Sequence, residues 1–363
     1  MTEQFIPSEL FLRVERKRRQ KPKIRDERIT LAHGSGGKAM HQLIEGLFLE
    51  YLSNPLLEML DDQAVFELGD EGHGVRLAFT TDSFVVTPIF FPGGDIGRLA
   101  VNGTVNDLAM SGARPLYLSA GFILEEGFLI GDLKRILESM RAAAEQAGVQ
   151  VVTGDTKVVD KGAADKIFIN TAGIGIIERP LHISASRAQV GDKVILSGSI
   201  GDHGTTILIA RGELELETEI TTDTAPLWSL VKEMLEVSTD IHCLRDPTRG
   251  GVATTLNEIA MSSDVCIAIE ESQIPVCDEV RGACEILGLD PLYVANEGKL
   301  VAVVAAEVAD QIVERMRQNP LGQQARIIGE VRAEPKGIVV LNTVFGGTRI
   351  VDMLVGEQLP RIC

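Results

Sequence analysis

Val75-Arg76-Leu77-Ala78-Phe79-Thr80-Thr81-Asp82-Ser83 alternates apolar and polar residues and then arrives at an aspartate among small polar neighbours. Val75, Leu77 and Phe79 fall on one side of a half-buried strand, which puts Asp82 in a turn at its end. The arrangement recurs at Asp61 and Asp62 in Leu-Asp-Asp-Gln-Ala, at Asp107 in Val-Asn-Asp-Leu-Ala, and at Asp155 in Thr-Gly-Asp-Thr-Lys. A single aspartate of this kind is ordinarily a turn residue or a helix cap. Four such turns within 95 residues are a different matter. If one sheet gathers those ends on one side, the carboxylates converge and need hard divalent cations between them. Mg²⁺ keeps several waters and prefers one or two carboxylates plus phosphate oxygens, so the cluster predicts a bound nucleoside triphosphate.

Around these turns the pattern is α/β. Ile167 and Ile169 alternate as another strand, while Leu133, Ile136, Leu137, Met140 and Ala144 form one helical stripe, with Asp132 as its expected cap and Gly148 as its stop. Residues 178–191 read as a linker. Strand-like runs follow at 193–197, 265–269, 300–305 and 338–341, and helical stripes at 227–235 and 252–260. The expected organisation is a basic extension over 1–28, one α/β domain over 29–180, a second over 190–345, and a mobile tail over 346–363. The extension stands apart in composition, with nine Lys or Arg against three Asp or Glu from Arg13 to Arg28.

A chain of 363 residues suits two domains, and a net charge of −17 would repel nucleic acid and anionic membranes alike. No apolar run is long enough to span a bilayer. Cysteines at 243, 266, 277, 284 and 363 include no Cys-x-x-Cys pair, and their odd number closes no disulfide framework, so a reducing cytoplasm is expected. The last of them, Cys363, ends a tail too poor in apolar residues to pack, which suits a thiol that visits two places.

Phosphates need donors, and neither a P-loop nor a Rossmann fingerprint occurs. In their place stand Gly34-Ser35-Gly36-Gly37-Lys38, just ahead of a helical stretch, and Asp246-Pro247-Thr248-Arg249-Gly250-Gly251, opening the helix from Val252. Glycines before a helix expose backbone N–H groups where the helix dipole favours an anion. His33 and His203 lie beside such loops and read as structural. His33 with His41, and His242 with Cys243, make no convincing zinc pattern.

These loops resemble the ATP-binding superfamily named after aminoimidazole ribonucleotide synthetase, which has a two-domain PurM-like fold. Within it, Ala32–Lys38, Pro88–Gly97, Ala120–Gly127, Thr153–Val158 and Pro360–Cys363 resemble the HypE family of carbamoyl dehydratases that mature NiFe hydrogenases. The resemblance extends from Ile29 nearly to the end and leaves the basic extension outside. It implies an N-terminal mixed sheet that forms a shared barrel in a homodimer, and a C-terminal α/β sandwich. It also implies that Cys363 is carbamoylated by the partner HypF, that ATP drives dehydration to a thiocyanate, and that cyanide passes to iron held by HypC–HypD.

In this scheme Asp62, Asp82, Asp107 and Asp155 would hold Mg²⁺, with Asp246 a further member. Gly34 to Lys38, Asp155, Thr156, Asp246, Thr248, Arg249 and Gly250 would bind ATP. By the resemblance, Lys157 would polarise the developing anion and Glu297 would take protons. The alternative is another kinase or synthetase of the superfamily, acting on a free small molecule and ignoring the tail. Against selenophosphate synthetase, no cysteine precedes Cys243.

Overall fold

The structure is a computed structural model in which residues 26–69, 74–212 and 218–355 are described. A 3₁₀ turn at Leu31–Gly34 leads into helix α1 (Lys38–Leu43), which runs through a π-helical turn (Ile44–Phe48) into α2 (Leu49–Leu52). The first sheet follows. Its strands are β1 (Ala64–Leu68), β2 (Val75–Phe84), β5 (Arg114–Glu125), β6 (Gln150–Val159) and β7 (Ile167–Ile177), with a short hairpin of β3 (Phe90–Phe91) and β4 (Gly94–Asp95) beside it. The order is β1-β2-β7-β5-β6; β5 and β6 are parallel and the other pairs antiparallel.

Helix α3 (Ile96–Met110) lies on one face of this sheet, and α4 (Ile130–Ala147) lies on α3. Asp95 fixes where α3 begins, its carboxylate accepting from the N–H groups of Gly97 (2.7 Å) and Arg98 (3.1 Å). The helices approach closely because Gly97 has no side chain: a Cβ there would lie 2.6 Å from the carbonyl oxygen of Ile136. Almost every residue of α3 is buried. The helix is enclosed by the sheet, by α4 and by the second domain.

The second sheet has the order β14-β13-β10-β12-β8-β11-β9, from β8 (Lys193–Leu196), β9 (Ile241–Arg245), β10 (Cys266–Glu270), β11 (Val301–Val304), β12 (Arg326–Arg332), β13 (Ile338–Asn342) and β14 (Thr348–Val351). Only β10 and β13 run parallel. Helices α5 (Asp202–Ala210), α6 (Trp228–Val237), α7 (Gly251–Ser262), α8 (Asp278–Leu287) and α9 (Ala306–Gln318) complete this half. Leu230, Met234, Ile312 and Met316 of α6 and α9 share one apolar core with Ala78, Leu108 and Ile177 of the first half. The two halves are therefore cemented by buried apolar surface.

Three local expectations give way to packing. Helix α4 starts two residues before Asp132, so Asp132 lies in its first turn and caps nothing. The stretch expected as a linker buries Leu181, Ile183, Ala185 and Ala188. The chain stays in the sheet as far as Val351, because β14 pairs with β13, and Val351 and Met353 are buried. The two ends, including the basic segment and the tail with Cys363, lie largely outside the described residues.

Candidate active site

Four of the sequence-marked acids converge where the sheets meet. Asp62 follows a turn closed by Leu60 in the left-handed region. Asp82 sits near the end of β2. Asp107 lies inside helix α3 and not in a turn, and its carboxylate accepts from the Thr80 hydroxyl at 2.8 Å. Asp246 follows β9 directly. Burial pushes all four above the ordinary carboxylate range, Asp246 to about 6, and neighbouring negative charges add to the effect at Asp62, Asp107 and Asp246. Arg249 opposes the shift at Asp82, standing 3.7 Å away.

Arg245 was not marked by the sequence, yet it organises the cluster. Its side chain reaches Asp62 at 3.1 Å, Glu258 of α7 at 2.5 Å and the carbonyl oxygen of Leu60 at 3.1 Å. A charged residue between Leu244 and Asp246, at the end of an apolar strand, was the available signal. Asp61 lies beside the cluster with one carboxylate oxygen committed elsewhere, accepting from the N–H of Ala185 at 2.9 Å.

The glycine loops pack backbone against backbone over these acids. A Cβ on Gly36, whose φ is +75°, would stand 2.5 Å from the carbonyl oxygen of Arg249; one on Gly250, at φ +77°, would meet Thr254 at 2.2 Å. Gly36, Gly37, Asp61, Asp62, Arg245, Asp246, Thr248 and Arg249 line a cleft of about 1080 Å³ whose other wall is apolar, with Met40, Ile44, Phe48 and Leu60. Backbone donors, cations and carboxylates at one end and apolar side chains at the other match a ligand with a polyanionic head and a flat base.

Lys38 faces the other way. Its ammonium pairs with Asp352 at 2.5 Å and its N–H donates to the carbonyl oxygen of Leu354 at 2.9 Å, while the Tyr293 hydroxyl donates to the carbonyl oxygen of Asp352 at 2.8 Å. The last described stretch of chain is thereby fastened to the glycine loop.

Two family models match the chain: the AIR synthase related protein N-terminal domain over residues 60–177 and the C-terminal domain over 189–342. The carbamoyl dehydratase HypE of Azotobacter vinelandii is 56% identical over 340 residues, covering 94% of this chain and 98% of that protein. HypE of Escherichia coli K12 is 49% identical over 336 residues, covering 92% and 99%. The chain belongs to the HypE family. Among solved structures, a hydrogenase maturation protein HypE in complex with ATP matches with a TM-score of 0.77 at 51% identity, covering 93% of this chain and all of that one. A HypE–HypF complex matches at 0.81 and 48%, covering 86% and 99%. The expected two-domain fold and the resemblance to carbamoyl dehydratases are both borne out.

Within this HypE-family chain, Asp155, Thr156 and Lys157 stand apart from the cluster. They lie mid-strand in β6, an edge strand exposed nearly throughout, and not in a turn. Lys157 pairs with Asp155 at 2.9 Å, and its hydrogen bond holds the Asp155 carboxyl below its usual range. Asp155 pairs in register with Gly121 and Lys157 with Ile123, which places both on the face of the sheet that none of the described helices covers. Glu297 is buried at the edge of the cluster, and burial followed by Asp246, Asp223 and Asp82 raises its pKa well above the usual carboxylate value.

His33 and His203 are both buried. His33 accepts from the N–H of Thr30 at 3.1 Å, and His203 lies 2.8 Å from the Thr222 hydroxyl.

The donor set suits a hard divalent cation. It is made of carboxylates, and Asp62 Oδ2 is buried with no hydrogen-bond partner among the described residues. In the present arrangement no three His, Cys, Asp or Glu side chains among the described residues stand close enough to hold a metal ion.

Proposed function

We propose that this chain carries out ATP-dependent dehydration of a carbamoyl group on its own Cys363, giving a thiocyanate that supplies cyanide ligands for the iron of NiFe hydrogenases. The observation that carries this reading is the anchorage of the tail. Leu354 is bonded to Lys38, Gly36 packs on Arg249, and Arg249 stands beside Asp82. Beyond Val355 the eight residues to Cys363 can extend up to about 26–29 Å, ample to return the sulfur to the cleft.

ATP would supply a phosphoryl group that converts the thiocarbamate oxygen into a leaving group, and a bound Mg²⁺ would offset the charge of the phosphates. The C–O bond breaks with departure of phosphate as two N–H protons are removed. Glu297, buried beside the cluster, is placed to take one of those protons. Gly36, Gly37, Thr248 and Arg249 would hold the phosphates, with Asp62, Asp82, Asp107 and Asp246 the carboxylates available to Mg²⁺. Tethering the thiocarbamate makes the step effectively unimolecular, worth up to about 7–11 kcal/mol in well-oriented systems.

Homodimerisation completes the site. The first sheet's face that no described helix covers presents Val75, Phe79, Tyr117 and Ile123, all at least two-fifths exposed. Apolar surface in such a patch calls for a partner. Within one copy Asp155 is three strand spacings, about 14 Å, from Asp82, too far to share an ion with it. Phe79 and Thr81 line the cleft as well as the open face. A second copy stacked there brings its own Asp155 and Lys157 to the cleft mouth, where Lys157 can polarise the developing anion.

HypF is the proposed carbamoyl donor and HypC–HypD the acceptor of cyanide, in the cytoplasm; the four described cysteines are free thiols. Phosphate release on adding ATP tests the reading. It should appear with protein carbamoylated at Cys363 and vanish in Cys363→Ala; equal release from the variant would contradict it.

A further inference from the structure

We propose that Asp223 and Asn106 are positioning residues that grip the peptide groups on either side of Glu297 and hold its side chain against the acidic cluster. The inference rests on the reading of Glu297 as a proton acceptor in the dehydration. Asp223 Oδ1 accepts from the N–H of Glu297 at 3.1 Å; its Oδ2 accepts from the N–H of Gly298 at 3.3 Å and from the Lys299 ammonium at 3.1 Å. On the other side the carbonyl oxygen of Glu297 accepts from Asn106 Nδ2 at 3.2 Å. The same amide donates to the carbonyl oxygen of Ala225 at 3.1 Å, and Asn106 Oδ1 accepts from the N–H of Leu227 at 2.8 Å. Both amide hydrogens of Asn106 and its oxygen are therefore engaged, and the residue is fully buried.

The two grips come from different halves of the molecule. Asn106 lies on α3 next to Asp107, so the helix that carries one cluster carboxylate also sets the distance to Glu297. Asp223 lies in the loop before α6. Asn296 adds a third anchor, donating to the carbonyl oxygen of Pro247 at 2.9 Å and so tying the Glu297 loop to the turn that bears Asp246. The loop has no room to slide: a Cβ on Gly298 would stand 1.8 Å from the carbonyl oxygen of Asp223.

A neutral side chain could satisfy a turn of this shape. Burying a carboxylate with a lysine is costly unless every partner is well placed. Asp223, with its side chain 3% exposed, receives three donors from three consecutive residues. Such an arrangement fixes the peptide to a fraction of an ångström, and a 1 Å misplacement of a catalytic group costs about 100-fold in rate.

The experiment uses the full chain carbamoylated at Cys363, following single-turnover dehydration and its dependence on ATP concentration. Asp223→Asn leaves one acceptor where three donors converge, so the dehydration rate should fall about 10–100-fold with half-saturating ATP unchanged within about twofold. Asp223→Glu should recover part of the loss. In a Glu297→Gln background, Asp223→Asn should cost nothing further, because the group it positions has gone. A wild-type rate in Asp223→Asn, or full additivity with Glu297→Gln, would overturn the proposal. Glu297→Gln at the wild-type rate would instead remove the reading beneath it. Should Asp223→Asn fail to fold, Lys299→Met takes the counter-charge from Asp223 and leaves both peptide grips; a smaller fall in rate alone supports the clamp, and an unchanged rate counts against it.

Discussion

Asp82 and Asp155 stand at almost the same level of one sheet, since Asp82 is opposite Thr171, Thr171 opposite Ala120, and Ala120 opposite Gly154. Their surroundings are opposite. Asp82 faces α3 with its side chain 28% exposed and its carboxyl held above the ordinary range by burial; Asp155 is 71% exposed and held below it by Lys157. On the proposed reading, the inner face is one half of a site. The outer face carries Asp155 and Lys157 with none of the described helices opposite them, the place that the proposed second copy would fill.

The sharpest way to break that comparison is also the largest effect. Glu297→Gln should lower dehydration by about 10²–10⁴, and Asp155→Asn should be severely impaired on its own. If the site is built across copies, mixing the two variants restores one competent site in each mixed dimer, about a quarter of wild-type activity for random pairing of a two-fold dimer. A site built within one copy gives no recovery.

Next in size is the face itself. Phe79→Asp places a charge in the centre of the apolar patch, and light scattering should show the dimer shifting to monomer with loss of turnover. A variant that stays dimeric would move the interface elsewhere.

The inner face has its own signature in pH. Asp246 titrates near 6 in the folded chain against 3.8 as a free group, so the folded state binds more protons than the unfolded one between those values. The protein therefore loses stability from this group as pH rises through that window. Asp246→Asn should raise stability at pH 7 by up to about 3 kcal/mol, a gain that disappears toward pH 4 and is measurable by urea unfolding. Equal gain at both pH values would show that Asp246 is not pressed by its surroundings.

The smallest effect belongs to Asp61. Asp61→Asn keeps an acceptor for the N–H of Ala185 and should change stability by less than about 1 kcal/mol with no effect on rate. A large loss of activity would give Asp61 a direct part in the chemistry.

Much of this was legible from residue order. Alternation at Val75, Leu77 and Phe79 marked β2, and Gly148 marked the end of α4. Asp107 was legible as an acid of the site but not as a helical one, because α3 is apolar on nearly all sides and lacks the stripe that reveals a helix. The face on which Asp155 lies was hidden for another reason: β6 is an uncovered edge, so no burial pattern distinguishes its two sides. Asp223 and Asn106 went unmarked because their partners are distant in sequence and one buried polar residue carries no local signal, whereas the charge of Arg245 at the end of an apolar strand was a sign that went unused.

The tail remains the centre of the account, since the cleft has meaning as a dehydratase only if Cys363 enters it. Mass spectrometry of the peptide bearing Cys363, taken after carbamoylation and again after ATP, tests this directly. The account predicts an adduct on Cys363 that loses one water when ATP is added, in the wild type but not in Glu297→Gln. An adduct unchanged by ATP, or one carried on a residue other than Cys363, would contradict it.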